Sequence, residues 1–304
     1  MNNPIAIAVQ GKRWQGMTRR ALTLRRRYGF SPAQMERQLA RMVQVLADFD
    51  CPATFPITAA ALLRHSTSLK RIHTERIEFA AHGYSHLDHA RMSFEEQRVW
   101  FERAQQAFEQ CGIECHGFRA PYARWNEDTL EAVRNTGWLY DSSAALAWQI
   151  ERETDSYRRA LQFYGARSAS DEPSLPRLVQ GVVVIPFALP DDEALVERLG
   201  ASPQEMAKIW IAMLDETYAR GELLVLNLHP ERFQLCETAL VALLERAHQK
   251  PERVWFARLD EIARWWRARV DTQRWRDGAR SALCITGDID ALTLGDYAMR
   301  LFRR

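Results

Sequence analysis

Long hydrophobic runs are missing from this 304-residue chain: nowhere do about 18 apolar residues follow one another, so the sequence offers no transmembrane helix. Proline (12) and glycine (14) are too scarce for a disordered or collagen-like polymer. An excess of one charge is missing too. Against 39 acidic residues stand 41 basic ones, and a net +2 is too small for a general nucleic-acid binder, whose affinity rests on released counterions. Five cysteines make an odd set, and Cys111 and Cys115 lie close together without a second pair, which fits reduced thiols better than a disulfide framework or a structural zinc site. The apolar start Ile5–Val9 has no basic residues ahead of it, so it reads poorly as a secretory leader and the expected compartment is the cytoplasm. Internal repeats and low-complexity tracts are likewise absent.

What the chain does have is an alternation of helical and short apolar segments, the pattern of α/β proteins. After Ser31-Pro32, Met35, Leu39, Met42, Leu46 and Phe49 recur at helical spacing and predict one buried stripe. Strands are expected at 53–58, 77–81, 117–119, 138–141, 182–185, 223–228 and 254–256. Helices are expected at 60–75, 93–110, 126–135, 202–220, 238–248 and 260–269, several with capping signals such as Ser93 with Glu96. Residues 142–177 are ambiguous, with a long loop near 168–176. The absence of a long polar linker suggests one barrel domain spanning 1–304. Residues 264–280 break the rhythm with six Arg and two Asp among Trp265, Trp266 and Trp275. That segment reads either as an anionic-surface contact or, preferably, as side chains packed on the barrel exterior.

Chemistry concentrates where strands end. His82-Gly83-Tyr84-Ser85-His86 follows the 77–81 strand, and imidazoles four residues apart can share one face and one divalent cation if the segment turns helically. Catalytic groups of α/β barrels gather at that end of the strands. His89 could be a third ligand, but the preferred reading is a polar loop residue. Arg119, in Gly117-Phe118-Arg119-Ala120-Pro121-Tyr122, and His229, in Leu226-Asn227-Leu228-His229-Pro230, also end strands, and a histidine placed like His229 can protonate a leaving amine.

Together, Ala53-Thr54-Phe55, His82–His86, Phe118–Tyr122, Tyr140–Ser143 and Leu228-His229 resemble the polysaccharide deacetylase family (NodB-homology, carbohydrate esterase family 4) over roughly residues 30–265. The resemblance implies a distorted (β/α)7 barrel, a divalent metal held by one Asp and two His, a second Asp as general base and a His as general acid. One motif departs from the pattern. The family's first strand ends in two carboxylates, whereas the corresponding place here carries Arg25, Arg26 and Arg27, which can neither bind a cation nor serve as a base near neutral pH.

A substitute lies at the other end of the chain. Residues 281–291 form a short apolar strand ending in Asp288-Ile289-Asp290, similar to the Asp-Val-Asp-Ala version of that motif in the allantoinase-like branch of the family. First and last strands of a closed barrel are neighbours, so a tail strand can fill the slot of a head strand, as in circular permutation, with 264–280 as the basic connection. Asp288 and Asp290 would share one face of the strand, since its side chains alternate.

The resulting expectation is a circularly permuted α/β barrel that removes an N-acetyl group from an amino sugar or glycan intermediate. Asp290, His82 and His86 hold one divalent ion (zinc first, cobalt or nickel as alternatives), Asp288 is the base and His229 the acid. Arg119 orients the base, and Asp141 is a candidate to orient His229. The backbone N–H of Tyr122 faces the oxyanion, and Trp125, Arg25 and Arg26 are candidate substrate contacts. Two other readings stand beside this one: an allantoinase-like hydrolase of non-peptide amides, and an inactive glycan-binding relative. The partners implied are the amide substrate and a second copy of the chain; nucleic acid is not among them.

Overall fold

The computed structural model describes residues 23–25, 27–269 and 274–302. Twelve strands run in one curled sheet: β1 (Ala53–Ile57), β2 (Ile77–Ala81), β3 (Gly117–Phe118), β4 (Tyr140–Asp141), β5 (Ala145–Ala147), β6 (Arg167–Ser168), β7 (Arg177–Val179), β8 (Val182–Val184), β9 (Phe187–Leu189), β10 (Leu223–Leu228), β11 (Val254–Phe256) and β12 (Ser281–Gly287). Among the described residues all pairings are parallel except the β7–β8 hairpin.

The sheet closes on itself through two kinked segments. Residues 140–147 supply β4 and β5, residues 182–189 supply β8 and β9, and these segments pair with each other along both halves. β4 continues the sheet to β3, and β9 continues it to β10. With each kinked segment counted as one strand, the ring has about seven positions, the arrangement expected of a distorted (β/α)7 barrel.

The tail strand is central to that ring. β12 lies between β10, with Leu223↔Ala282 through Leu228↔Gly287 in register, and β1, with Ala53↔Ile285 and Thr54↔Thr286. Every residue of β1, β10 and β12 is buried, as expected for parallel strands covered on both faces. Gly287 is needed for the fit, because a Cβ there would stand 2.7 Å from the Phe55 ring.

The helices follow the predicted stripes with local differences. In helix Ala33–Asp48, Met35, Leu39, Met42 and Leu46 are buried as read, joined by Val45, while Phe49 forms the C-cap. The helix expected at 60–75 is two pieces, Ala59–Arg64 and Ser66–Lys70, because His65 leaves helical geometry between them. The ambiguous stretch 142–177 contains β5, β6 and helix Asp155–Tyr164, which Thr154 caps through its hydroxyl. Helix Phe233–His248 begins five residues before the expected 238.

In the 264–280 segment, Trp265, Trp266 and Trp275 pack on the barrel and Arg274 and Arg280 bond to it, while Arg264, Arg267 and Arg276 are exposed. Trp275 is buried and its indole N–H donates to Gly221 O at 2.9 Å. Arg274 Nη1 donates to Arg220 O and Gly221 O, and Arg280 Nε to Tyr218 O. These are carbonyls at the end of helix Pro203–Arg220, which lack partners within the helix. Residues 274–280, which lead into β12, are thereby fixed against the barrel wall.

Candidate active site

The loop after β2 and the tail after β12 meet at one point. His82 leaves β2 with its N–H bonded to Ile57 O at 2.9 Å, and Gly83 turns the chain at φ +73°. A sharp bend, not the helical turn read from the spacing, therefore brings His86 back beside His82, with ring centroids 5.1 Å apart. From the other side, Ile289 donates its N–H to Pro56 O at 2.7 Å and accepts from Thr58 N at 3.2 Å. Ile289 itself is buried in the core. These bonds fix Asp290 so that its Oδ1 is 3.3 Å from His82 Nε2 and 3.3 Å from His86 Nε2.

The three donor atoms fit a divalent cation, since all lie within 4.8 Å of one another. His82 Nδ1 stands 2.9 Å from Arg119 O, a backbone acceptor that fixes the Nδ1–H tautomer and leaves the Nε2 lone pair facing Asp290. Two imidazoles and a carboxylate are a donor set suited to zinc and its neighbours in the divalent series. His89 is not in this group. It is buried in a 3₁₀ turn against Phe101 and Phe118, and burial pushes its pKa down to about 4, which makes it a neutral core histidine and corrects the polar-loop reading.

Asp288, two residues before Asp290, has different company. Its N–H holds Leu228 O at 2.9 Å, and its carboxylate accepts from Arg119 Nη1 at 3.0 Å and from Asn227 Nδ2 at 3.2 Å. Arg119 is itself fully buried and is held through all three of its nitrogens. Its Nε donates to Ser142 O, its Nη2 to Ser142 Oγ, and its Nη1 also reaches Asn227 Oδ1 and Thr286 Oγ1. A guanidinium held by so many acceptors cannot swing away, so it fixes one oxygen of Asp288.

His229 ends β10. Its backbone N–H donates to Asp192 Oδ2 at 2.9 Å, and its Nδ1 lies 2.6 Å from Asp192 Oδ1. Burial would depress the imidazole's pKa, but the adjoining Asp192 charge outweighs it and holds His229 well above the ordinary histidine range. Next to it, burial pushes Asp191 up to about 7 and Asp191 accepts the N–H of Ala194.

The candidate orienting residue Asp141 is corrected here. Its carboxylate is occupied by Ser143, accepting from the backbone N–H at 3.0 Å and from Oγ at 2.6 Å, and Asp192 takes the place beside His229. Sequence reading missed Asp192; the acid pair Asp191-Asp192 just after β9 was the available signal.

The candidate substrate contacts divide. Tyr122 has φ +60° and lies with its ring 4.3 Å from that of His86, at the mouth of the site. Trp125 instead packs against Leu130, Ala144 and Val184, where it covers the core. Arg25 lies over the exposed Phe30 ring, and Arg27 pairs with Glu197; Arg26 lies outside the described residues.

The chain resembles known proteins in sequence segment and in fold. The polysaccharide deacetylase family model matches residues 31–140. A structure from Mycobacterium smegmatis assigned to the polysaccharide deacetylases superposes with a TM-score of 0.61 at 22% identity, covering 78% of each chain. One from Pseudomonas aeruginosa, likewise assigned, gives 0.60 at 22%, covering 76% of this chain and 73% of the other. Puue allantoinase gives 0.60 at 22%, covering 76% and 72%. Residues 31–140 thus match the polysaccharide deacetylase model, and the barrel has the fold of the solved structures it superposes on.

Proposed function

We propose that the protein is a metal-dependent N-deacetylase of amino sugars or glycan intermediates, with the family's first acidic strand supplied by the tail. The observation that carries this reading is the split of two carboxylates two residues apart. Asp290 faces two imidazole Nε2 atoms at 3.3 Å each, and Asp288 is held by Arg119 at 3.0 Å. One carboxylate is placed to hold a cation and the other to move a proton.

A divalent ion held by His82, His86 and Asp290, zinc by preference, would act as Lewis acid toward the acetamide carbonyl and make water more acidic. The remaining chemistry belongs to the chain. Asp288 accepts a proton from the attacking water, and Arg119 keeps the carboxylate aimed for that step. His229, with Nδ1 committed to Asp192, carries its transferable proton on Nε2 and delivers it to the departing amine nitrogen. The backbone N–H of Tyr122 faces the developing oxyanion.

A sugar is favoured over a small planar amide by the rim. Tyr122 and Phe163 are both exposed and meet edge to face at 6.3 Å, while Arg124 fixes Phe163 by lying 5.0 Å over its ring and bonding to Asp88. Such a fixed aromatic pair suits the apolar face of a pyranose.

The test pairs zinc titration with acetate release from N-acetylglucosamine oligomers, with allantoin as the competing substrate. Wild type is expected to bind about one zinc per chain. Asp290→Ala is expected to lose both zinc and turnover. Asp288→Asn is expected to keep zinc and lose turnover by about 10²–10⁴-fold. Full zinc binding by Asp290→Ala would overturn the ligand assignment, and turnover of allantoin alone would overturn the substrate.

A further inference from the structure

Beyond Asp290 the tail that follows β12 is held at one buried side chain. The anchor is Asp296. Its side chain is buried and takes four hydrogen bonds. Oδ1 accepts from Arg64 Nε at 2.7 Å, and Oδ2 lies 2.8 Å from His65 Nε2. The same Oδ2 accepts the N–H groups of Leu292 at 3.2 Å and Thr293 at 3.0 Å, and Thr293 Oγ1 accepts Asp296 N at 3.1 Å in return. That reciprocal box opens helix Leu294–Phe302 and docks its start on the break between helices Ala59–Arg64 and Ser66–Lys70.

The segment that receives Asp296 also holds the rest of the site. Thr58 Oγ1 donates to Asp290 O at 3.0 Å, and Thr58 N to Ile289 O. One and two residues on, Ala59 N and Ala60 N donate to Gly83 O and Tyr84 O, inside the His82–His86 loop. Residues 58–65 thus grip the imidazole loop at one end and the tail at two points, Asp290 and Asp296. The tail makes a further contact where Leu294 N donates to Gly29 O.

We infer that Asp296 is a positioning residue for the metal site, a latch whose contacts with Arg64 and His65 hold Asp290 in register with His82 and His86. The inference rests on Asp290 being a metal ligand, as proposed above. Partners of that kind, one step removed from the ligands, commonly set affinity by about 10–100-fold.

The test compares Asp296→Asn with Asp215→Asn, a carboxylate on helix Pro203–Arg220 that likewise bonds two basic side chains, Arg246 and Lys250, but touches no part of the tail. Zinc affinity is read by calorimetry on metal-free protein, and exchange of the Ile289 amide hydrogen by mass spectrometry without metal. Asp296→Asn is expected to weaken zinc by about 10–100-fold and speed Ile289 exchange, with Asp215→Asn near wild type in both. Zinc affinity within about twofold of wild type, or equal loss in both variants, would overturn the latch. Should wild type bind no zinc, the deacetylase reading falls and Ile289 exchange alone decides: unchanged exchange in Asp296→Asn overturns the latch, and faster exchange supports it.

Discussion

Two buried carboxylates stand at opposite ends of the same barrel and live by different rules. Glu78, near the start of β2, is enclosed: Thr54 Oγ1 donates to it at 2.7 Å, Tyr140 Oη at 2.9 Å and Asp260 N at 3.2 Å. Burial, followed by the neighbouring Asp260 charge, pushes its pKa up to about 8. Asp288, just beyond β12, is as deeply placed but has a guanidinium in hydrogen-bond contact and lies next to Asp290 and the imidazoles. The lesson is that similar burial leaves room for different company: at Glu78 the Asp260 charge adds to what burial already does, whereas Asp288 is bonded to a guanidinium. At the N-terminal end of the strands the result is a carboxyl group pushed toward its neutral form, and at the C-terminal end it is a carboxylate bonded to Arg119, two residues before Asp290.

The largest effect that would break this contrast is expected at His229. Asp192→Asn removes the charge that holds the imidazole protonated, so the His229 pKa falls and the acid is lost at lower pH. The alkaline limb of the kcat profile should therefore move to lower pH, with kcat reduced by about 10²-fold or more near neutrality. Asp141→Asn should leave that limb in place, because Asp141 bonds Ser143. A pH–rate profile for both variants checks the assignment, and an unshifted limb in Asp192→Asn would remove His229 from the acid role.

The next effect, on stability, is expected at the opposite end. Glu78 has a folded pKa of about 8, above the ordinary value of 4.5, so the folded state holds its proton more tightly than the unfolded chain. Its contribution is complete below about pH 4.5 and is lost as pH rises toward 8. Glu78→Gln should abolish that slope, so the stability gap between wild type and variant shifts in favour of the variant from pH 5 to 8, by about 3–4 kcal/mol. Urea unfolding at several pH values measures it. A gap that stays constant would mean that Glu78 is ionised in the folded barrel.

How much of this was legible beforehand depends on whether a residue's partner is near in sequence. The strand ends carrying His82, Arg119 and His229, and the tail strand with Asp288 and Asp290, could be read because each sits in a short apolar run with a polar terminus. The ring position of β12 followed from closure alone. Asp192 was not legible, because its role depends on a ladder between β9 and β10 that brings residues 37 apart into contact. Helix Asp155–Tyr164 was obscured by short, charged surroundings, and β5 and β6 are only three and two residues long, too short for any periodicity. The latch at Asp296 was hidden for the same reason as Asp192: Arg64 and His65 lie more than 230 residues away in sequence.

The smallest expected effect concerns Arg25 and Arg27, which stand where acids were expected. Arg25 is exposed and its guanidinium lies 5.3 Å from the Phe30 ring centroid, an arrangement worth about 0.5–1 kcal/mol at the surface. Arg27 is committed to Glu197. Neither geometry supplies the bidentate grip that an anionic substrate would need. Arg25→Ala should therefore shift stability by no more than about 0.5 kcal/mol and change kcat/KM by less than about twofold on neutral acetamido sugars. The informative arm is a phosphorylated acetamido sugar. If Arg25 recognises an anion, KM for that substrate alone rises with kcat unchanged, since uniform binding is lost without touching the chemistry. Equal KM values in variant and wild type leave Arg25 as a surface cation resting on an aromatic ring, and the contrast between the two ends of the barrel then rests on the buried acids alone.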